Sequence, residues 1–303
     1  MELSADEWIR LGRECLDAGT LFLLVTGGEP FLREDFRKIY EALSEMGFII
    51  TLYTNGTLIT DETINWLSKR PPAKLTITLY GASCETYKQL CGDGKAFDRV
   101  YGNFKKLIDA GINLNIRSTI TKRNLHDLDA MRQIAFLHDI PFDYSCMIYK
   151  PVRGAVSDAE SERLSPEEII KLRSKDILPD FIKPGDYTYL KKEIKSKLPP
   201  LSCTAASCSW WITWDGRLTP CSLMDTPYVK IKDKTFDQLW REIQEMVKDI
   251  PGATKCKSCP DKEYCSVCPG ILQAETGTFD QTSDYICDFA HRLKSGFQMC
   301  KEI

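Results

Sequence analysis

Histidine is scarce in this chain. Three occur in 303 residues, His126, His138 and His291, scattered too widely in sequence to suggest a paired imidazole site. A large charge of one sign is missing too. The formal net charge is −3, which argues against the basic footprint of a general nucleic-acid or anionic-membrane binder. Long apolar runs are lacking: the longest, residues 21–25, is strand-sized and far short of the roughly 20 residues that a membrane-spanning helix needs. The opening MELSADE has neither a basic nor an apolar region, so no secretory signal is expected there. No solenoid-scale repeat or low-complexity tract occurs. Cysteine, in contrast, is abundant. Thirteen cysteines without a signal sequence point to reduced thiols and bound metal rather than disulfides, and to a cytoplasmic protein.

Ahead of the cysteine-rich end, strand and helix patterns alternate. Ser4, followed three residues later by Glu7, is a capping-box signature for a helix over residues 5–17, closed at Gly19. Residues 21–25, 48–53, 74–80, 112–121 and 141–149 read as strands, and residues 33–46, 61–69, 97–110 and 125–138 as helices. Short connections and regular alternation imply a parallel α/β sheet with helices outside. Two strands add a clue. Thr76, Thr78 and Tyr80 share one face, and so do Asn115, Arg117 and Thr119. Parallel strands are normally apolar on both sides, so these polar faces imply either a lined cavity or a place at the sheet edge; a cavity is expected. Residues 152–202 are charge-rich, with helical stretches at 166–173 and 187–197, and read as a bridge. Beyond them come a hairpin around Asp215-Gly216, an amphipathic helix over 236–248 and a last helix over 285–299. The expected domains are residues 1–151, 152–202 and 203–303.

Eight cysteines crowd the last third: Cys203, Cys208, Cys221, Cys256, Cys259, Cys265, Cys268 and Cys287. Cys256 with Cys259, and Cys265 with Cys268, are CxxC pairs, and a tight turn brings two such thiolates to one metal. Eight thiolates suit two four-cysteine sites. Spacing alone leaves zinc and iron–sulfur equally open. Cys15, Cys84, Cys91, Cys146 and Cys300 read as small core or surface residues.

Two sets of residues carry a family resemblance. Thr26-Gly27-Gly28-Glu29-Pro30, at the end of a predicted strand, resembles the GGEP motif of radical S-adenosylmethionine enzymes. Cys203, Gly216 and Cys221, then Cys256-x2-Cys259-x5-Cys265 and Cys287, resemble the SPASM domain of peptide- and protein-modifying members. Residues 79–87 are similar to the strand-four region of these maturases. The resemblance runs over essentially the whole chain. It implies an α/β fold: a partial (β/α)6-type TIM barrel missing its first strand, then a small SPASM domain with a β-hairpin and two four-cysteine cluster sites. It assigns Cys203, Cys208, Cys221 and Cys268 to a first auxiliary [4Fe–4S] cluster, and Cys256, Cys259, Cys265 and Cys287 to a second. One local departure is that two residues, where members usually have three, precede Cys268 after Cys265. The resemblance further implies that Gly27, Gly28, Glu29 and Pro30 hold the methionyl amino group. Thr54 and Asn55 would face the ribose or methionyl part, and Arg117 would meet the carboxylate or a ribose hydroxyl; Tyr149 and Lys150, ending the last predicted strand, are adenine-side candidates by position alone. The residues alone allow plainer readings: a βα turn with Glu29 at a helix start, an Asn-Gly turn, and an ion pair inside the barrel.

The implied activity is maturation of a ribosomally made peptide or protein, by thioether or other crosslink formation, with a reductant such as flavodoxin or ferredoxin. Neither nucleic acid nor membrane is an expected partner. The family's CxxxCxxC loop, which binds the catalytic cluster, occurs nowhere in these 303 residues. S-adenosylmethionine and a third [4Fe–4S] cluster are therefore expected only with a further N-terminal segment, and the chain as given is expected to be inactive in radical chemistry. Lacking the first strand, the sheet is expected to have an exposed edge prone to self-association. Three alternatives stand beside this reading: a non-catalytic iron–sulfur electron-transfer or peptide-binding protein, a zinc-stabilised interaction protein, and an enzyme of the sulfatase-maturating type. The last carries an Asp directly after the cysteine matching Cys221. Here that residue is Ser222, whose hydroxyl is a poor proton acceptor.

Overall fold

The computed structural model describes residues 2–176 and 203–299, and the chain divides into two compact units. The first comprises residues 1–148 and 235–237; the second comprises 149–234 and 238–303. The helix expected over residues 187–197 lies outside the described residues.

The first unit opens with helix α1, Ala5–Asp17, on its capping box. Ser4 Oγ accepts from the Glu7 amide at 3.3 Å, and Glu7 Oε2 accepts from the Ser4 amide at 2.7 Å. Five strands follow: β1 (Phe22–Val25), β2 (Ile49–Thr54), β3 (Lys74–Thr78), β4 (Leu114–Thr119) and β5 (Phe142–Ser145). Between them lie α2 (Phe36–Glu45), α3 (Asp61–Lys69), α4 (Cys84–Cys91), α5 (Lys95–Asp109) and α6 (Leu128–Leu137). Every strand pair is parallel and the spatial order is β1-β2-β3-β4-β5. Strands that neighbour each other in sequence order, joined by helices, make an arc of a barrel rather than a doubly wound sheet. Gly12 lets α1 approach α2: a Cβ there would stand 2.4 Å from Leu43 Cδ2.

Register separates the two faces of this sheet. Leu52, Leu75 and Leu114 align on one face, as do Thr54, Ile77 and Ile116, and all six are buried. Tyr53, Thr76 and Asn115 align on the other, followed by Thr78, Arg117 and Asp143. On that second face Tyr53, Thr78, Asn115 and Arg117 are only half-buried. Strands β3 and β4 each have a strand on both sides, so their polar face belongs to the middle of the sheet and not to its edge. The edge strands are β1, where Phe22 is 69% exposed, and β5.

Local chemistry trims the predicted elements. The helix expected from residue 33 starts only at Phe36, and a separate 3-10 turn, Pro30–Leu32, precedes it, capped by the Glu29 carboxylate at the Phe31 amide. Helix α4 had no clear periodic signal. Its ends are nevertheless marked: Ser83 Oγ accepts from the Thr86 amide, and Gly92 takes the left-handed conformation at φ 75°.

The second unit contains α7 (Ala159–Glu162), α8 (Pro166–Asp176) and a small antiparallel sheet. Its strands are β6 (Trp211–Ile212), β7 (Arg217–Thr219) and β8 (Val229–Lys230). The hairpin turns at Asp215-Gly216, and Gly216 has φ 77°. Helices α9 (Phe236–Met246), α10 (Thr254–Lys257), α11 (Pro269–Thr276) and α12 (Asp284–Met299) complete the chain. Ala205, Ala206, Met224, Val247 and Ile250 form a buried cluster, with Cys221 and Phe279 packed on it.

Candidate cofactor and metal sites

The GGEP segment ends β1 at the carboxyl edge of the parallel sheet, where α/β folds place ligands. Glu29 is buried there at 7% exposure and collects three donors. Its Oε1 accepts from Thr54 Oγ at 2.8 Å and from the Phe31 amide at 3.1 Å, and its Oε2 accepts from the Asn55 amide at 2.6 Å. An ionised carboxylate has about four acceptor positions, so room for one more cationic donor remains. Gly27 and Gly28 are exposed, neither has a left-handed φ, and a Cβ on either would meet no atom within 4 Å. Backbone conformation and protein packing therefore do not require glycine here. Bare backbone open to an approaching ligand is the remaining physical reason.

Thr54 uses its hydroxyl both ways, donating to Glu29 and accepting from the Gly56 amide at 3.0 Å. Asn55 Oδ1 accepts from the Thr57 amide and hydroxyl at 2.8 and 2.6 Å, an Asx turn that shapes the β2 tip. Arg117 donates to Tyr53 Oη at 3.3 Å and lies 3.7 Å from Asp143 Oδ2. Beside it, Thr76 Oγ1 is buried on the same polar face with no hydrogen-bond partner among the described residues. An orphaned buried hydroxyl facing a row of polar groups fits a face that receives a polar ligand. Tyr149 is half-buried and falls in the second unit.

A further network holds the tips of β3 and β4 and was not anticipated from sequence. Fully buried Asn124 donates to the carbonyls of Tyr80 (2.9 Å) and Thr119 (3.0 Å), and its Oδ1 accepts from the Thr121 amide at 2.7 Å. Asp127 Oδ2 accepts from the Ala82 amide at 2.8 Å. Burial pushes the Tyr80 phenol up, with the charges of Cys91 and Glu29 adding to the shift.

The cysteines of the second unit stand as free thiols. Burial, then Cys268 and Cys203, push the Cys221 thiol up; burial, then Cys203, do the same to Cys268. Burial, then Cys287 and Cys259, raise Cys256. Burial raises Cys265 and Cys287 as well, Cys265 with help from Cys256 and Cys259, and Cys287 with help from Cys265 and Cys259. These contacts fall into two sets, Cys203 with Cys221 and Cys268, and Cys256 with Cys259, Cys265 and Cys287. Cys208 is exposed. As the side chains stand, no group of three or more His, Cys, Asp or Glu among the described residues converges tightly enough to hold a single ion. Thiols close enough that ionisation of one disfavours that of its neighbours are nonetheless the donor chemistry that a multi-iron cluster, larger than one ion, takes. Cys15 is a different case: burial pushes its thiol up to about 12, which marks an inert core residue.

Gly270 lies against the first set. A Cβ there would stand 3.2 Å from Met224 Cγ and 3.3 Å from Cys221 Sγ. Gly270→Ala gains about 1 kcal/mol of helix propensity in α11 but adds overpacking of about 1–3 kcal/mol against Met224 and Cys221. A net loss of about 0–2 kcal/mol is expected, together with less iron retained at the first set after anaerobic reconstitution.

A parallel βα arc with an open glycine-rich tip, followed by a thiol-dense unit, defines a class of cofactor-dependent α/β protein. Residues 1–134 match the model of the radical SAM superfamily. It is 24% identical over 310 residues to the AdoMet-dependent heme synthase of Methanosarcina barkeri, which covers 94% of this chain and 87% of the relative. It is 25% identical over 229 residues to the sporulation killing factor maturation protein SkfB of Bacillus subtilis, covering 75% of this chain and 54% of SkfB. The fold matches that of Streptococcus suis SuiB, solved with its precursor peptide SuiA, at a TM-score of 0.68 and 18% identity, over 94% of this chain and 69% of SuiB. Among the described residues no helix is long and apolar enough to cross a membrane.

Proposed function

We propose that this chain belongs to a maturase that modifies a ribosomally made peptide or protein with S-adenosylmethionine, and that it carries two auxiliary [4Fe–4S] clusters. The observation that supports the reading is the gathering of eight free cysteines in one small unit, where Cys203, Cys221 and Cys268 influence one another and Cys256, Cys259, Cys265 and Cys287 influence one another. Cys203, Cys208, Cys221 and Cys268 would hold one cluster, and Cys256, Cys259, Cys265 and Cys287 the other. Likeness to SkfB and to SuiB, solved with a precursor peptide, supports a peptide substrate, on which thioether or other crosslink formation is the reaction proposed. A flavodoxin- or ferredoxin-type reductant would supply electrons.

When bound to its own iron–sulfur cluster, S-adenosylmethionine supplies a 5′-deoxyadenosyl radical for hydrogen abstraction. This chain's residues would bind and orient it. The free acceptor position of Glu29 suits an ammonium, the bare backbone at Gly27 and Gly28 leaves room, and Arg117 brings positive charge toward a carboxylate. Pro30, Thr54 and Asn55 complete the proposed contacts within the first unit. Gly28→Val is expected to leave stability within about 0.5 kcal/mol of the parent, since a Cβ there meets no protein atom within 4 Å, while blocking S-adenosylmethionine binding by calorimetry in protein joined to a segment that supplies the CxxxCxxC cluster.

The sequence contains no CxxxCxxC, so the radical step needs three thiolates that these residues do not provide in that motif. The 303 residues alone are expected to form auxiliary clusters and to release no 5′-deoxyadenosine under strong reductant. Iron and acid-labile sulfide per chain test the assignment: about eight of each supports two [4Fe–4S] clusters, whereas about two zinc and no iron rejects it.

A second reading has a specific basis in the likeness to a heme synthase over 94% of this chain. On that reading the substrate is an iron porphyrin, and titration with iron coproporphyrin should shift its Soret band. No shift, with binding of a cysteine-bearing precursor peptide, favours the maturase.

A further inference from the structure

Helix α12 carries Cys287, and its next two turns carry His291 and Lys294 at steps of four and three residues. That spacing puts all three on one face. Asp261 lies opposite two of them, within the segment that Cys259 opens and Cys265 closes. This segment is irregular apart from one 3-10 turn, Lys262–Tyr264. Asp261 is buried at 9% exposure, and its two oxygens go to the helix. Oδ1 accepts from Lys294 Nζ at 2.5 Å, and Oδ2 lies 3.2 Å from His291 Nε2. Asp261 follows Cys259 by two residues, so the Lys294 ammonium bonded to it stands on the segment that carries that cysteine.

A buried carboxylate tied to two groups of another element does little for net stability, because desolvation offsets attraction. Its attested use is to fix register. Here the register at stake is chemical. Cys259 and Cys265 sit on the irregular segment, and Cys287 sits on the helix.

We propose that Asp261 is a positioning residue of the second four-cysteine site. With Lys294 and His291 it clasps the 259–265 segment to α12, so that Cys287 is delivered as the fourth thiolate and the Lys294 ammonium stays beside the set. The inference rests on the two-cluster reading above. Lys294 then has a second role. A fixed positive charge stabilises the more negative, reduced form of a nearby cluster.

The test uses the full chain, reconstituted with iron and sulfide, in a Cys221→Ser background that leaves the second site as the main holder of iron. Iron release to a chelator is timed for the parent, Asp261→Asn and Asp261→Glu. A lost charge-assisted contact should make Asp261→Asn release iron roughly tenfold or more faster, while Asp261→Glu stays near the parent. In a Cys256→Ser background, which keeps the first site instead, Asp261→Asn should change nothing. That contrast separates positioning from general unfolding, and circular dichroism of the metal-free variants checks it. Lys294→Met should lower the reduction potential of the second-site signal in an EPR-monitored titration.

Equal release rates for the parent and Asp261→Asn, in protein whose iron requires Cys256, would overturn the clasp while leaving the two-cluster reading standing. Iron content unaffected by Cys256→Ser would overturn that reading and the clasp with it.

Discussion

Glu275→Ala is expected to destabilise the C-terminal unit by about 3–5 kcal/mol, a large part of the roughly 5–15 kcal/mol that holds a typical domain folded. The Glu275 side chain is 2% exposed and that of Arg163 is 11% exposed. Arg163 Nη1 donates to both carboxylate oxygens, at 3.0 and 2.9 Å. The Lys150 amide and the Ser283 hydroxyl donate to the same carboxylate at 3.1 and 3.3 Å. Alanine would strand four donated hydrogen bonds and leave a buried guanidinium with a poor substitute. Glu160, 3.9 Å from Arg163 Nη2, is mostly exposed and compensates weakly. The Tyr285 ring, 3.8 Å from the guanidinium carbon, still offers its face, worth about 1–2 kcal/mol at a desolvated site.

The penalty comes from breaking the pair rather than from the pair's own net worth. Arg163→Met with Glu275→Leu should therefore recover much of the loss, because it removes both charges together. Denaturant unfolding followed by tryptophan fluorescence measures all three proteins. A shift below about 1 kcal/mol for Glu275→Ala would mean that water already reaches the pair. The site should feel the change too. Helix α11 starts directly after Cys268, which is its N-cap, and Glu275 lies near its other end. Loosening Glu275 frees the helix that positions Cys268, so iron at the first set should fall with stability.

That ion pair also marks where sequence reading stops. Glu275 and Arg163 stand 112 residues apart, and no periodicity connects them. Alternating strands and helices were legible because each element carries its own burial pattern. The polar faces of β3 and β4 were legible because side chains alternate along a strand. Strand ends were less so. Residues 146–149 keep strand-like composition, but β5 stops pairing at Ser145, since composition extends past the point where a neighbour's backbone is available. The two-residue strand β8 and the short helix α4 are held by context rather than by pattern. At the glycine-rich tip, the motif named Glu29 and its neighbours, but not the work each does. That Thr54 and Asn55 serve Glu29 depends on β1 lying beside β2, a tertiary fact. Asn124 and Asp127, bonded to backbone across the β3 and β4 tips, looked in sequence like ordinary loop residues.

Glu29→Gln isolates what the carboxylate does. The glutamine oxygen can replace Oε1 and accept from Thr54 and Phe31, but its NH2 then faces the Asn55 amide, donor against donor. Leaving a buried amide unsatisfied costs about 1–3 kcal/mol. The damage should stay local, because Asn55 belongs to a turn while β1 and β2 remain joined by their parallel ladder. Amide exchange at Asn55 and Gly56 is expected to quicken while the buried Leu52 amide is unchanged. On the proposed reading a second loss follows. In protein joined to a segment that supplies the CxxxCxxC cluster, the variant gives up a charge-assisted contact to an ammonium, worth about 1.5–3 kcal/mol, so S-adenosylmethionine affinity should drop roughly 10- to 150-fold. Thr54→Val offers a graded comparison. It removes one donor to Glu29 and the acceptor for the Gly56 amide, yet keeps the negative charge, so its binding loss should be the smaller of the two. If Glu29→Gln speeds exchange at Asn55 but binds S-adenosylmethionine as the parent does, Glu29 is a strut between two strand tips and the ammonium is held elsewhere.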